Sequence, residues 1–435
     1  MSNPKPPFNN RSSILFALGL ALSAGLAIGM DGVGALNLRA TAAPLQYKAA
    51  RLVQAPAALS PVELAYAKVA WSYFEDNHQP TTGLVDSVAG FPSGTLWDQG
   101  SYLFALIAAE RLSILEKTMF DDRVAALLDT LAALSLFDGK LPNKVYDTRS
   151  LQMVDYANTP VEDGIGWSAL DVARMLMALR VLETRHQTHA AQVRAILANW
   201  DVAAMAKDGR LWGTTRADGE IRYLQEGRIG YEQYAARAAA LWGLDVITAG
   251  SAQSILGWTD IEGVQVPVDL RTSSSFRAIT PTLSEPYVLL GLEMGFDRET
   301  AILADRVYSA QEQRHVRTGI PTMVSEDNID QAPYFLYSSV YSNGRAWAVV
   351  DDDGEHFPEL RTVSTKAAFG WDALYGTEYA AQVVASLREL AADGGWASGR
   401  YEVTGNANDV TTLNTNAVVL EALHFKAFGP FWSFR

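Results

Sequence analysis

The feature that most constrains the fold of this chain is a long series of segments with the apolar spacing of an α-helix. The first begins at Ser60, which can cap a helix, and Pro61 and Glu63 suit the turn that follows. Loops rich in Gly, Pro and Asp separate the segments, so the sequence predicts an all-α protein. Eleven such stretches of 10–20 residues occur, and those after the first lie at about 100–116, 120–135, 166–184, 189–206, 231–247, 284–294, 298–315, 365–375, 378–391 and 412–427.

The order of these segments is regular: a helix, a short turn, a second helix and then a long loop. The alternation recurs about six times, which predicts an (α/α)6 toroid of helical hairpins with long loops on one face. An open helical solenoid is the alternative, but it requires a sequence repeat, and none is visible. We therefore expect residues 60–435 to form a single (α/α)6 barrel domain.

The N-terminal segment has the pattern of an export signal. Lys5 and Arg11 precede an uncharged run at 14–30, and small residues at 40–42 resemble a cleavage site. Residues 1–43 are predicted to be a signal peptide or a membrane anchor, attached through 14–30 in the second case, and residues 44–59 a linker. A buried core helix fits the basic flank and the terminal position less well. The body is then expected to be periplasmic or otherwise extracytoplasmic, secreted or anchored at its N-terminus.

Charge and composition exclude several functions. Lys and Arg number 35 against 49 Asp and Glu, a net charge of −14, which argues against nucleic-acid binding because that binding depends on cations facing phosphates. The chain has no Cys and six His, which removes thiol chemistry and Cys-ligated metals. His186 and His189 fit a surface helix face better than a metal site, and Asp351–Glu355 lacks calcium-loop spacing. We expect no cofactor and no bound metal.

The long loops instead hold carboxylates and amides beside aromatic residues. Aromatic faces stack on sugar rings, and amides and carboxylates bond to sugar hydroxyls, so this combination indicates glycan binding, with paired carboxylates as acid and base. Each position also has a plainer interpretation: a helix cap, a dipole partner, a buried aromatic or, for 325–330, a solvated or calcium-binding loop. The candidate catalytic residues are Asp98, Asp163, Glu232, Glu326 and Asp327. The candidate substrate-binding residues are Trp97, Tyr102, Trp167, Tyr231, Gln233, Tyr334 and Trp371.

Four segments that contain these candidate residues resemble a known family. They are Leu96-Trp97-Asp98-Gln99-Gly100-Ser101-Tyr102, Gly166-Trp167-Ser168-Ala169-Leu170-Asp171, Gly230-Tyr231-Glu232-Gln233-Tyr234 and Ser325-Glu326-Asp327-Asn328-Ile329-Asp330. Together they resemble a bacterial family of exported proteins catalogued as a domain of unknown function. More distantly, the motif order is similar to glucoamylase-like helical toroids that include endo-β-1,2-glucanases. There a Gly-Tyr followed by a Glu opens a barrel helix, and that Glu is the acid; here Glu232 follows Tyr231 directly. The resemblance implies an (α/α)6 fold and glycan cleavage.

These observations predict an exported glycan-active enzyme, an inverting glycoside hydrolase acting on a glucan or an exopolysaccharide. Glu232 is expected to be the acid and Asp98 or Asp163 the base or water-positioning carboxylate, with Glu326 and Asp327 as further candidates. A lyase or epimerase acting on an acidic polysaccharide fits the negative charge less well, and no nucleophile motif indicates a peptidase. The alternative is a non-catalytic glycan-binding or scaffold protein of a polysaccharide synthesis or export system. Such a protein would need no two carboxylates facing one cleft.

Overall fold

The computed structural model describes residues 41–42, 49–276 and 278–433. The predicted signal peptide or anchor lies outside the described residues, apart from the two residues at 41–42, and the linker is described from residue 49. Within these ranges, no helix combines the length and the hydropathy that a membrane span needs.

Eleven of the α-helices in the described ranges coincide with the eleven predicted stretches, and a further short helix, Ser273–Phe276, lies in a predicted loop. The fifth and sixth end earlier than expected, at Asn199 and Ala240 instead of about 206 and 247; a 3-10 helix, Val202–Met205, follows the fifth, and turns follow the sixth. The seventh continues as a π-helical segment, Leu290–Met294. The helices are α1 (Pro61–Asp76), α2 (Leu96–Arg111), α3 (Lys117–Ala133), α4 (Ala169–Arg185), α5 (Ala190–Asn199), α6 (Tyr231–Ala240), α7 (Glu285–Leu289), α8 (Arg298–Thr318), α9 (Thr365–Tyr375), α10 (Glu378–Ser386) and α11 (Leu413–Phe428).

Six of these helices form a closed inner ring. In the order α2, α4, α6, α7, α9 and α11, each packs against the next, and α11 packs back on α2. Outside them, α1 lies on α11, α3 on α2, α5 on α4, α8 on α7 and α10 on α9. The molecule is therefore a helical toroid, as predicted. Between α6 and α7, where six complete pairs would require a long outer helix, the chain instead forms turns, a β-hairpin and the four-residue helix Ser273–Phe276.

The long loops contain short strands, which the all-α prediction did not include. They are β1 (Thr41–Ala42), β2 (Ser93–Thr95), β3 (Leu136–Phe137), β4 (Leu141–Pro142), β5 (Val145–Asp147), β6 (Ala206–Lys207), β7 (Arg210–Ala217), β8 (Glu220–Gln225), β9 (Leu256–Ile261), β10 (Val264–Asp269), β11 (Glu326–Asn328), β12 (Phe335–Ser338), β13 (Tyr341–Ser342), β14 (Arg345–Ala346), β15 (Val349–Val350), β16 (Thr362–Ser364), β17 (Ala391–Ala392), β18 (Gly395–Tyr401) and β19 (Ala407–Thr411). All their pairings are antiparallel, in small sheets of two to four strands.

The longest hairpin joins β7 and β8 and is fixed against the start of α4. Asp218 and Gly219 both have positive φ at its two-residue turn, which suits the twist of a hairpin. At its other end, the Trp167 backbone N–H donates to Thr214 Oγ1 at 2.9 Å, and the Thr214 N–H donates to the Trp167 carbonyl at 2.9 Å. Gly166 permits this approach, since a Cβ there would lie 2.2 Å from the Thr214 carbonyl oxygen. Asp208 and Gly209, both with positive φ, form the two-residue turn between β6 and β7.

The core combines a continuous apolar cluster with a polar group inside the ring. Two smaller clusters aside, most buried apolar residues form one cluster from Ala67 to Phe431. Within it, the fully buried Arg174 forms ion pairs with Glu293 and, at 2.9 Å, with Glu421. The Tyr234 hydroxyl donates to Glu293 at 2.6 Å, and burial raises the pKa of Glu421 well above its usual range. One cation thus ties α4 to two other inner helices, at a depth where an unpaired charge is costly.

Candidate active site

A large cleft lies where the inner helices begin. Its volume is about 2130 Å³, whereas pockets for small ligands are typically about 300–1,000 Å³. All six inner helices contribute a residue from their first turn: Asp98, Asp171, Tyr231, Glu285, Lys366 and Asn414. The β7–β8 hairpin, β11 and residues 352–356 form further walls. The cleft is therefore large enough for several units of a polymer.

Helix geometry explains why carboxylates gather there. The N-terminal ends of helices carry partial positive charge and favour negative side chains in the first turn. Asp98 and Asp171 occupy the same position, three residues after the capping residues Thr95 and Ser168. Thr95, and not Asp98, is the N-cap of α2, so the simple capping interpretation of Asp98 is wrong. The two aspartates lie at matching places on neighbouring helices.

Two hydroxyl groups donate hydrogen bonds to one oxygen of Asp98, an arrangement that favours its carboxylate form. The Ser87 hydroxyl donates to its Oδ2 at 2.5 Å, and the Thr95 hydroxyl donates to the same atom at 2.6 Å. Burial raises the pKa of Asp98, and these two donors act in the opposite direction. From the described part of the chain, Oδ1 receives no hydrogen bond, so this oxygen is available to a molecule in the cleft.

The surroundings of Asp171 favour its protonated form instead. Burial and then the negative charge of Glu226 raise the pKa of Asp171 to about 8. Asp98 adds to this effect, and Lys144 opposes it. At neutral pH Asp171 therefore carries a proton. Environments that push the pKa values of two acids apart are typical of acid–base pairs.

A second acidic group surrounds Lys366 on α9. Lys366 forms an ion pair with Glu285, and its Nζ lies 3.8 Å from Asp327 Oδ1. The Asn414 amide donates to Glu285 at 2.8 Å. Burial raises the pKa of Asp327 to about 7, against the opposing charge of Lys366. This group ties α7, α9 and α11 together along one wall of the cleft.

The structure brings some of the predicted catalytic residues together and separates others. Asp98, Glu326 and Asp327 line the cleft. Glu232 lies outside its lining, buried and paired with Arg271 at 2.8 Å. Asp163 is exposed on a loop, also outside the lining. Neither placement suits a group that must reach a substrate in this cleft.

Most of the predicted substrate-binding residues lie in the core. Trp97 and Tyr231 line the cleft, with ring centroids 5.5 Å apart. The others have structural contacts: Tyr102 stacks on Phe74, Trp167 donates to the Trp212 carbonyl, Trp371 stacks on Tyr375, and Gln233 accepts from the Gly230 N–H. Tyr334, with positive φ, is half-buried outside the cleft lining. Large aromatics supply much of the apolar area of a core, which explains these placements.

The sequence interpretation gave no role to four cleft residues: Asp171, Glu226, Glu285 and Lys366. A signal existed for Asp171, because Ser168-x-x-Asp171 repeats the spacing of Thr95-x-x-Asp98 at the start of a helix. The other three carried no such local pattern. Within the described ranges, no group of three His, Asp or Glu is arranged to hold a metal ion.

Comparison with known proteins identifies the family. The model of the family described as protein of unknown function (DUF3131) matches residues 65–429, so the chain belongs to that family. No curated protein matches the sequence. The resemblance to such a family with glucoamylase-like relatives is confirmed.

Solved structures share the fold. A Bacteroides caccae protein provisionally assigned as a glucoamylase is 13% identical, with a TM-score of 0.62 over 85% of this chain and 94% of the other. The endo-β-1,2-glucanase of Chitinophaga pinensis, in complex with sophorotriose and glucose, is 13% identical with a TM-score of 0.64 over 86% and 94% of the two chains. That of Talaromyces funiculosus, with sophorose, gives 13% and 0.54 over 86% and 84%. At these identities the likeness shows the fold.

Proposed function

We propose that this member of the family is an inverting glycoside hydrolase acting on a glucan or an exopolysaccharide, with Asp171 as acid and Asp98 as base. One observation carries the proposal: the two residues occupy matching positions on neighbouring inner helices, in one cleft, and burial together with the charge of Glu226 holds the proton on Asp171 at neutral pH. This assignment keeps Asp98 from the sequence prediction and replaces Glu232 as the acid.

The chemistry balances between these two groups. Asp171 gives its proton to the glycosidic oxygen as the bond from that oxygen to the anomeric carbon breaks. A water molecule bonds to the anomeric carbon from the other face and passes a proton to Asp98. Inverting enzymes hold the two carboxyl groups about 6.5–9.5 Å apart to leave room for that water. Proton exchange with solvent then restores both groups.

Three features support a neutral glycan as substrate. The cleft has the volume for several sugar units, and Trp97 and Tyr231 offer aromatic surface beside Asp98. Acidic side chains outnumber basic ones along the lining, which disfavours an anionic polymer. The solved endo-β-1,2-glucanases of this fold make β-1,2-glucan the first substrate to test.

The alternative of a non-catalytic glycan-binding or scaffold protein predicts that the carboxylates are dispersed. Instead, Asp98, Asp171, Glu285, Glu326 and Asp327 line one cleft. Their concentration supports an enzyme, because acid–base catalysis, unlike binding, needs a carboxyl group that holds a proton at neutral pH, as Asp171 does.

The test is release of reducing ends by the purified full-length chain from a panel of α- and β-glucans, including β-1,2-glucan, and from exopolysaccharide of the source cell. Asp171→Asn and Asp98→Asn are each expected to lower kcat by about 10²–10⁴, the contribution of a general acid or base. Asp163→Asn is the matched control and is expected to keep activity, since Asp163 is exposed outside the cleft. Binding without release from any glycan would favour the scaffold, and release that survives both cleft variants would refute the assignment.

We also propose that residues 1–43 direct export, so that the toroid works outside the cytoplasm. The basic flank and uncharged run at 14–30 support this. Fractionation of the source cell with an antibody against the toroid tests it, and recovery in the cytoplasmic fraction would contradict it.

A further inference from the structure

Glu226 lines the cleft but has no part in the proposed reaction. It follows β8, and its carboxylate lies across the start of α4. One oxygen, Oε2, accepts the Ala169 backbone N–H at 2.5 Å, and the other, Oε1, lies 2.7 Å from the Ser168 hydroxyl. The same hydroxyl lies 3.0 Å from Asp171 Oδ1 and accepts the Asp171 backbone N–H at 3.1 Å. One hydroxyl therefore stands between two carboxyl groups.

The number of protons decides how these contacts are made. A serine hydroxyl has a single proton to donate, so it serves one of the two carboxyl oxygens. The contact with Glu226 is the shorter, and the second oxygen of Glu226 already accepts a backbone N–H at a helix N-terminus, an arrangement that suits a carboxylate. The contact between Asp171 and Ser168 then needs a proton from Asp171.

Asp98 shows the opposite arrangement at the matching position. Its two hydroxyl donors are Ser87 and Thr95. In the described part of the chain, neither hydroxyl forms a hydrogen bond with a second carboxylate. Both protons are therefore available to Asp98. The difference between the two aspartates is thus a difference in what their neighbouring hydroxyls contact.

We propose that Glu226 is a positioning residue that keeps the proton on Asp171 by taking up the one proton that the Ser168 hydroxyl can donate. The inference rests on the proposed function only in taking Asp171 as the acid. The other groups that act on Asp171 are Asp98 on α2, Lys144 beside β5 and, facing it across the cleft, Tyr156. None of them contacts the Ser168 hydroxyl.

The first test is Glu226→Gln. The new amide can still accept from Ala169, but its NH2 group donates to Ser168, which turns the hydroxyl proton toward Asp171. The pKa of Asp171 is expected to fall by about one unit or more. A carboxyl ¹³C NMR titration of the full-length chain measures this shift, with Asp171→Asn identifying the signal. The alkaline limb of the kcat/KM profile is expected to move to lower pH by the same amount. Glu220→Gln, on the exposed start of β8, is the matched control.

The second test separates the hydroxyl from the charge of Glu226. Ser168→Ala alone is expected to lower the pKa of Asp171 less than Glu226→Gln does, because it removes the oxygen that accepts the Asp171 proton but leaves the negative charge of Glu226 in place. In the Ser168→Ala background, Glu226→Gln is expected to shift the pKa clearly less than in the wild type. An equal shift would show that charge alone acts and would overturn the proposal, as would no shift in the single Glu226→Gln variant. The NMR titration needs no substrate. Absence of hydrolysis would therefore count against the proposed function only, whereas the role of Glu226 is decided by the pKa of Asp171 in the variants.

Discussion

Replacing Asp171 with Asn should change how the stability of the protein depends on pH. The folded-state pKa of about 8 lies above the ordinary 3.8. Above pH 4 the unfolded chain ionises at Asp171 while the folded chain keeps the proton, so rising pH favours unfolding of the wild type. This loss continues to about pH 8, where the folded chain also ionises. Asn does not titrate, so the variant lacks this component of the pH dependence.

The size of the effect follows from the shift. Each pKa unit corresponds to about 1.36 kcal/mol, so the three units between pH 5 and pH 8 set an upper bound of about 4 kcal/mol. Asp171 keeps part of its side chain open to the cleft, and solvent there reduces the expected change to about 2 kcal/mol. Relative to wild type, Asp171→Asn should therefore gain stability steadily over this range.

Urea denaturation of both proteins at pH 5, 6, 7 and 8 measures the difference without any substrate. Asp163→Asn is the control, because that side chain is exposed and lies outside the cleft lining. A difference between wild type and Asp171→Asn that stays constant from pH 5 to pH 8 would refute the claim that Asp171 is held protonated. The proposed acid would then lose its physical basis.

Three further outcomes follow from the contacts described. Glu232→Gln should keep kcat within about threefold of wild type, because Glu232 pairs with Arg271 outside the cleft. Asp171→Asn should instead lower kcat by about 10²–10⁴. Loss of hydrolysis in a folded Glu232→Gln protein would return the acid role to Glu232. Arg174→Met should lower the free energy of unfolding by about 3–5 kcal/mol in urea, because two buried carboxylates lose their shared cation, and an unchanged midpoint would contradict the described network. Trp97→Ala should raise KM about 3–10-fold at similar kcat, as expected for loss of an aromatic contact of about 0.5–1.5 kcal/mol, and an unchanged KM would remove Trp97 from the binding surface.

The helices were largely predictable because each depends on local information. Apolar spacing and capping residues such as Ser60 mark a helix within a few residues of sequence, and the described helices follow the predicted stretches. The strands in the loops were missed because most are only two or three residues long. Such strands exist through pairing with distant segments, as β2 pairs with β5, and local sequence carries little of that information.

Some of the predicted site residues lie in the cleft and others do not. Asp98 and Trp97 stand at a helix start that faces the cleft. Glu232 also stands in a first turn, yet its carboxylate points to Arg271 instead of the cleft. Trp167 and Trp371 looked like sugar-binding surfaces beside polar residues and are fully buried. The same residue types serve both purposes, and their direction is set by packing.

Apolar spacing and capping residues were enough to predict successive helices with polar, aromatic loops between them, because these signals act over single turns. Which carboxyl groups face the cleft, and that Asp171 keeps its proton there, depends on contacts between segments far apart in the chain. Closure of the helix ring brings Asp98 and Asp171 into the same cleft. Glu226 follows the β7–β8 hairpin and accepts a hydrogen bond from the start of α4, where the hairpin is fixed through Thr214. The protonation state of Asp171 depends on burial and on a charge 55 residues further along the chain, which no local pattern encodes.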